Sequence, residues 1–193
     1  MKSIRKLSYN LSVILFVLIL TPNISAVNHS ILQNTPLVSD SITKIIFQGG
    51  IYSGFGHQVC NGDFNGDGID DIIITAVSEN APLIISLFYG SSTIDTIVDL
   101  TILADTVYDY QYGYSIANAG DVNNDGFDDL LVSFYQSNDY VGKVYLFLGG
   151  NLMNADCDLV LNGDRQYGGY GISVGSAGDV NGDGFSDFLV GSS

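Results

Sequence analysis

Asp63-Phe64-Asn65-Gly66-Asp67-Gly68-Ile69-Asp70-Asp71 returns as Asp121-Val122-Asn123-Asn124-Asp125-Gly126-Phe127-Asp128-Asp129, and again as Asp179-Val180-Asn181-Gly182-Asp183-Gly184-Phe185-Ser186-Asp187. Both intervals are 58 residues. An unvarying period of that size predicts stacked supersecondary units, none of which can bury a core without its neighbours. The match reaches upstream of each loop. Phe55-Gly56, Tyr112-Gly113 and Tyr170-Gly171 precede it, and Gly62, Gly120 and Gly178 stand directly before its first Asp, the first copy being one residue shorter between these landmarks.

Between the Asp loops the chain reads as short strands. Ile72 to Val77, Leu130 to Phe134 and Phe188 to Val190 are apolar, β-branched or aromatic runs directly after each loop. Leu83 to Tyr89 and Val144 to Leu148 follow, each ending in Gly, and then Thr101 to Leu103 and Leu159 to Leu161. No stretch beyond the N-terminal segment holds a capped helical period, and Gly is abundant at the turns. Four strands per period predict an all-β chain of propeller blades, each of four antiparallel strands.

These residues resemble FG-GAP repeats, the units of the seven-bladed propeller of integrin α subunits and related proteins. Phe55-Gly56 supplies the FG element, Tyr112-Gly113 and Tyr170-Gly171 a near substitute, and Gly142-Lys143-Val144-Tyr145-Leu146-Phe147-Leu148-Gly149 is similar to the family's third strand. Where the GAP element would fall stand Ile74-Thr75-Ala76, Val132-Ser133-Phe134 and Val190-Gly191-Ser192. The resemblance covers residues 45–193 and implies a calcium-binding propeller that serves adhesion or protein recognition, with a partner subunit as one possibility.

Each loop sets Asp, Asn, Asp and Asp at positions 1, 3, 5 and 9 around a Gly at position 6, a set of hard oxygen donors on a sharp turn. Calcium takes about six to eight such oxygens. The candidate ligands are Asp63, Asn65, Asp67 and Asp71 in the first loop, Asp121, Asn123, Asp125 and Asp129 in the second, and Asp179, Asn181, Asp183 and Asp187 in the third. The carbonyls of Ile69, Phe127 and Phe185 at position 7 complete three Ca2+ sites, as the resemblance also implies. An EF-hand loop opens with the same alternation but needs an acidic residue at position 12, where Ile74, Val132 and Val190 stand here. Asp, Asn and Gly also make good turns without any metal. Three copies holding the same four oxygen positions favour calcium, because a plain turn has no use for carboxylates that repel one another. Asp70 and Asp128 adjoin position 9 and are read as outward-facing.

The first 26 residues read as a secretory signal peptide: Lys2, Arg5 and Lys6 precede an apolar run from Leu11 to Leu20 that ends at Thr21-Pro22-Asn23. A membrane span would need roughly 20 apolar residues. Cleavage after Ala26 leaves a polar leader at 27–44 and the repeats at 45–193. It also leaves 3 basic against 21 acidic residues, a balance of −18, which argues against nucleic acid as a partner. Of the 21 acids only Glu79 is Glu, so short carboxylates are wanted at fixed backbone positions. Cys60 and Cys157 fall at non-equivalent places in the repeat and are expected as separate thiols rather than a bridge. Their spacing to His29 and His57 fits no zinc site. Asn28-His29-Ser30 is a glycosylation sequon in the leader.

No nucleophile and base, paired carboxylates in a cleft or transition-metal site can be assembled, so the chain reads as a binding module rather than an enzyme. The expected function is a secreted or cell-surface propeller that recognises an extracellular protein or cell-surface ligand. The alternatives are the non-catalytic propeller of a larger extracellular hydrolase or phospholipase, and a structural surface-array protein. By strand count the chain holds two blades and about half of a third, whereas propellers close with about four to eight. The expectation is the N-terminal part of a longer protein or a truncated reading frame, whose open apolar flank drives self-association measurable by light scattering.

Overall fold

A computed structural model describes residues 54–77, 82–92, 95–104 and 114–193, together with the backbone of 16–20 and 43–47. The rest of the signal segment, residues 27–42 of the leader, Tyr112-Gly113 and Glu79 lie outside the described residues. The chain is all-β. Strands β1 (Phe16–Leu20) and β2 (Thr43–Phe47) form an antiparallel pair. Blade 1 is β3 (Val59–Gly62), β4 (Asp71–Ala76), β5 (Ile84–Phe88) and β6 (Leu100–Leu103); blade 2 is β7 (Tyr114–Gly120), β8 (Asp129–Phe134), β9 (Lys143–Phe147) and β10 (Leu159–Asn162). Each is an antiparallel meander of four strands in chain order. β11 (Val174–Gly178) and β12 (Asp187–Val190) form the first hairpin of blade 3. A single turn at Ser137–Tyr140 does not alter the class, since Asn138, Asp139 and Tyr140 all take positive φ there and no right-handed helix forms.

The strands that follow the first two Asp loops, β4 and β8, are largely apolar because both of their faces are covered. All six residues of β4 and of β8 are buried. Side chains alternate across a strand, so Leu130, Val132 and Phe134 join Ile73, Ile85 and Leu87 of blade 1. Leu131, with Val144 and Leu146, packs toward Tyr170, Val174, Phe188 and Val190 on the other side. In blade 3 the residue equivalent to Leu131 is Leu189, which is 63% exposed.

The one-residue difference between copies has a structural cause. In blade 1 the pairing Asn61 to Ile72 and Gly62 to Asp71 is continuous. In blades 2 and 3 the register shifts between Asn118 and Gly120 and between Ser176 and Gly178, so that Ala119 and Ala177 are the extra residues of β-bulges. Gly120 and Gly178 take φ of +75° and +66° at those bulges, a conformation in which a side chain is strained.

Polar groups also join the blades. The Gln58 side chain of blade 1 spans two backbone groups of β7, its Nε2 donating to Tyr114 O at 2.8 Å and its Oε1 accepting from Ile116 N at 2.9 Å. The Tyr114 hydroxyl lies 3.0 Å from Thr75 Oγ1, and Ser133, at the repeat position of Thr75, donates from Oγ to Gly171 O at 2.6 Å. These bonds satisfy buried hydroxyls that would otherwise be costly.

Candidate metal centre

Each Asp loop leaves the first strand of its blade, β3, β7 or β11, and enters the second, β4, β8 or β12. Three loops with one spacing close in one way. The carboxylate at position 1 accepts the N–H of positions 5 and 6: Asp63 takes Asp67 N at 3.0 Å and Gly68 N at 2.8 Å, Asp121 takes Asp125 N and Gly126 N, and Asp179 takes Asp183 N and Gly184 N. The amide oxygen at position 3 accepts the same position-5 N–H, from Asn65 at 2.9 Å, Asn123 at 3.1 Å and Asn181 at 2.8 Å. Positions 1 and 3 therefore present oxygens to one nitrogen in every loop. The position-5 carboxylate accepts the N–H of position 7, at Ile69, Phe127 and Phe185. Gly68, Gly126 and Gly184 take φ between +83° and +92°, which lets the loop turn back on its first Asp.

Position 9 anchors the loop to the blade. Asp71 is fully buried; its Oδ2 accepts Phe64 N at 2.9 Å and its Oδ1 accepts Gly90 N at 2.8 Å, at the end of β5. Asp129 repeats this with Val122 N and Gly149 N, both at 2.8 Å. Asp187 takes Val180 N at 3.0 Å. Burial pushes the Asp71 carboxyl up to about 6 against the pull of the Gly90 and Phe64 N–H groups, and the negative charges of Asp67 and Asp63 push the same way. Asp129 is pushed up to about 6 by its burial, with Asp125 and Asp121 adding to it. Asp179, on the exposed third loop, is held below the usual carboxylate range, first by the N–H of Gly184.

The structure thus brings positions 1 and 3 of each loop onto one nitrogen, and in the first two loops sets positions 1 and 5 near enough to position 9 to raise it. As the side chains lie, no three of the His, Cys, Asp and Glu residues among those described stand close enough to enclose a metal ion. The oxygens of the loop carboxylates face backbone N–H groups and, at Asp125, the Asn123 side-chain amide, which donates to Oδ2 at 2.8 Å. A carboxylate oxygen has two acceptor sites, so a bond to an N–H leaves one for a cation, and the donor set is entirely hard oxygen.

Asp70 is exposed, as expected, whereas the reading of Asp128 as outward-facing is corrected. The Asp70 Oδ2 accepts from the Asn61 amide at 2.7 Å within blade 1. Asp128 Oδ2 accepts from the Asn118 amide at 2.8 Å and also from Asp63 N of blade 1 at 3.0 Å. A signal for this was present, since Asn61 and Asn118 accompany Asp70 and Asp128, whereas the third copy changes both, to Ser176 and Ser186. Gln58 gave none, because Ser115 and Ser173 stand at its aligned positions. Cys60 and Cys157 are both free. His57 is exposed and packs on the Tyr114 ring at 5.2 Å between centroids.

A family model described as FG-GAP repeat matches residues 55–81, 112–147 and 170–193. The chain is similar to integrin alpha-5 of Xenopus laevis, 34% identical over 149 residues, 71% of this chain and 13% of that protein. It is 29% identical over 161 residues to integrin alpha-4 of the same animal, 76% of this chain and 15% of that protein. Integrin alpha pat-2 of Caenorhabditis elegans is 34% identical over 152 residues, 70% of this chain and 12% of that protein. The chain spans about an eighth of the length of the curated relatives it matches.

Proposed function

From a chain of FG-GAP repeats similar to integrin α chains, we propose an extracellular propeller module that binds calcium in its three Asp loops and recognises a protein or cell-surface ligand. The observation that carries the metal reading is the crowding at position 9. In the first two loops burial raises the carboxylate at position 9, and two further carboxylates of its own loop push the same way. That arrangement costs stability in the absence of a cation and favours a divalent one. The ligands are Asp63, Asn65, Asp67 and Asp71 with the Ile69 carbonyl, and the corresponding residues that begin at Asp121 and Asp179. Calcium there stiffens the turn between the first two strands of each blade. A rigid sheet with fixed loops is a support for recognition surfaces. Secretion, an extracellular ligand and a partner subunit follow from the signal segment and the likeness to integrin α chains; catalysis has no part in this reading.

Calcium titration of the full chain tests it. Extracellular sites bind with dissociation constants of about 10⁻⁴ to 10⁻³ M, so 10 mM calcium should stabilise the chain by about 1.4 to 2.7 kcal/mol per site. The thermal midpoint should rise with calcium, and Asp67→Ala, Asp125→Ala and Asp183→Ala combined should remove most of the rise. An equal calcium response in the triple variant would sink the assignment. The recognition half is tested by binding of the immobilised chain to cell-surface and matrix extracts with and without a chelator.

A further inference from the structure

Asp63, the first residue of loop 1, is held from outside its own blade. Its N–H donates to Asp128 Oδ2 at 3.0 Å, and its carbonyl accepts the N–H of Asp128 at 3.0 Å. Both backbone groups of Asp63 thus meet one residue of blade 2. The Asp128 carboxylate is fixed in turn by Asn118, whose Nδ2 donates to it at 2.8 Å and to the Asn61 carbonyl at 3.0 Å. Gly62 sits between these groups. Its φ is not in the left-handed region, yet a Cβ there would lie 2.3 Å from Asn118 Nδ2 and 2.8 Å from Asp128 Oδ2. A larger residue there would have to push aside both side chains and the bonds they make between the blades.

The next junction keeps only part of this. Ser186 N donates to Asp121 O at 2.9 Å, but a serine stands where Asp128 supplies its carboxylate. Asp70, at the same position in loop 1, is bonded by Asn61 of its own blade. The position thus accepts from an Asn of its own blade in both blades, and among the described residues the carboxylate in blade 2 also accepts from the preceding blade.

We propose that Asp128 is a positioning residue through which blade 2 fixes Asp63, so that the affinity of loop 1 for calcium is set by its neighbouring blade. This rests on the calcium reading of loop 1. Asp63 offers its carboxylate to the ion from a backbone that Asp128 holds on both sides. Without that hold, binding must order the first residue of the loop as well as enclose the ion, and the ordering weakens affinity.

The test is made by NMR on the full chain, with Asp128→Ser, Asp128→Asn and Asp70→Ser variants. The Asp63 amide reports the bond directly, and the position-6 amides of Gly68, Gly126 and Gly184 report calcium loop by loop. In calcium-free buffer, Asp128→Ser should speed hydrogen exchange at Asp63 at least tenfold, and Asp70→Ser should leave it unchanged. On titration, Asp128→Ser should weaken loop 1, read at Gly68, by about tenfold, or about 1.4 kcal/mol. That is the lower end of what a hydrogen bond to a charged acceptor contributes. Loop 3, read at Gly184, should keep its affinity. Asp128→Asn removes the charge but keeps an oxygen acceptor, so it should retain most of the loop 1 affinity. Unchanged exchange at Asp63 would overturn the proposal, and so would equal weakening of loop 1 by the Ser and Asn variants, the mark of a general charge effect. Should no glycine amide respond to calcium in the unaltered chain, the calcium reading fails, while exchange at Asp63 still decides whether Asp128 holds it.

Discussion

Phe64→Ala should be among the most damaging single changes in this chain. Phe64 occupies position 2 of loop 1, has no exposed surface, and belongs to the cluster between blades 1 and 2 with Leu130, Phe147 and Met153. Truncating a fully buried Phe costs about 3 to 5 kcal/mol, the transfer of the ring plus the cavity it leaves. The backbone bonds of residue 64 do not depend on the ring: its N–H donates to Asp71 and its carbonyl accepts Gly150 N at 2.9 Å. The substitution therefore reads packing between blades alone. Val180 holds the same position in loop 3 and is 71% exposed, so Val180→Ala should stay within about 0.5 kcal/mol. In urea, with a slope of about 2 kcal/mol/M, a loss of about 4 kcal/mol lowers the midpoint by about 2 M. A cost below about 1 kcal/mol for Phe64→Ala, or equal costs for the two variants, would refute the claim that neighbouring blades bury this position.

Gly62→Ala should destabilise by about 1 to 3 kcal/mol through overpacking against Asn118 and Asp128, while Gly150→Ala, where an added Cβ meets nothing within 4 Å, should be nearly neutral in the same urea assay. Of the two thiols only the exposed Cys157 should react quickly with a disulfide reagent at pH 8, because burial pushes the Cys60 thiol up to about 12 and keeps it protonated; two equally fast thiols would contradict the burial of Cys60. In calcium-free buffer, Asp71 and Asp129 titrate near 6 when folded and near 3.8 when unfolded. Between those values the folded chain holds more protons, so stability should fall as the pH rises from about 4 to 6 and level off above. A urea midpoint higher at pH 7 than at pH 4.5 would contradict that sign.

The blade was legible because its signals are local. Period, aromatic-Gly pair and apolar run place β4 at Asp71–Ala76 and β8 at Asp129–Phe134, within a residue or so of the expected Ile72–Val77 and Leu130–Phe134. The bulges at Ala119 and Ala177 were visible only as a length difference, since an extra residue does not say which strand absorbs it. Contacts between blades were the least legible. Asp70 and Asp128 share a residue type and a loop position, and each accepts from an Asn of its own blade, yet among the described residues only Asp128 also bonds across to the preceding blade, at Asp63. Nothing in a single repeat separates the two, because the difference lies in which neighbour approaches.

Stacking and the Asp loops are consequently one problem rather than two. Position 2 of loop 1 gives its N–H to the buried carboxylate at position 9, its side chain to the contact between blades, and its carbonyl to Gly150 of the next blade. Gly149 lies against the same junction, since a Cβ there would stand 2.2 Å from Asp128 O and 3.0 Å from Phe64 O, and its N–H holds Asp129 of loop 2. A force that separates the blades therefore acts on the carboxylates of both loops, and an ion that stiffens either loop also stiffens the junction. Loop and interface share atoms, so an insertion in the loop would move Phe64 out of the core, and one in the strand would move Asp71 off its two backbone N–H donors.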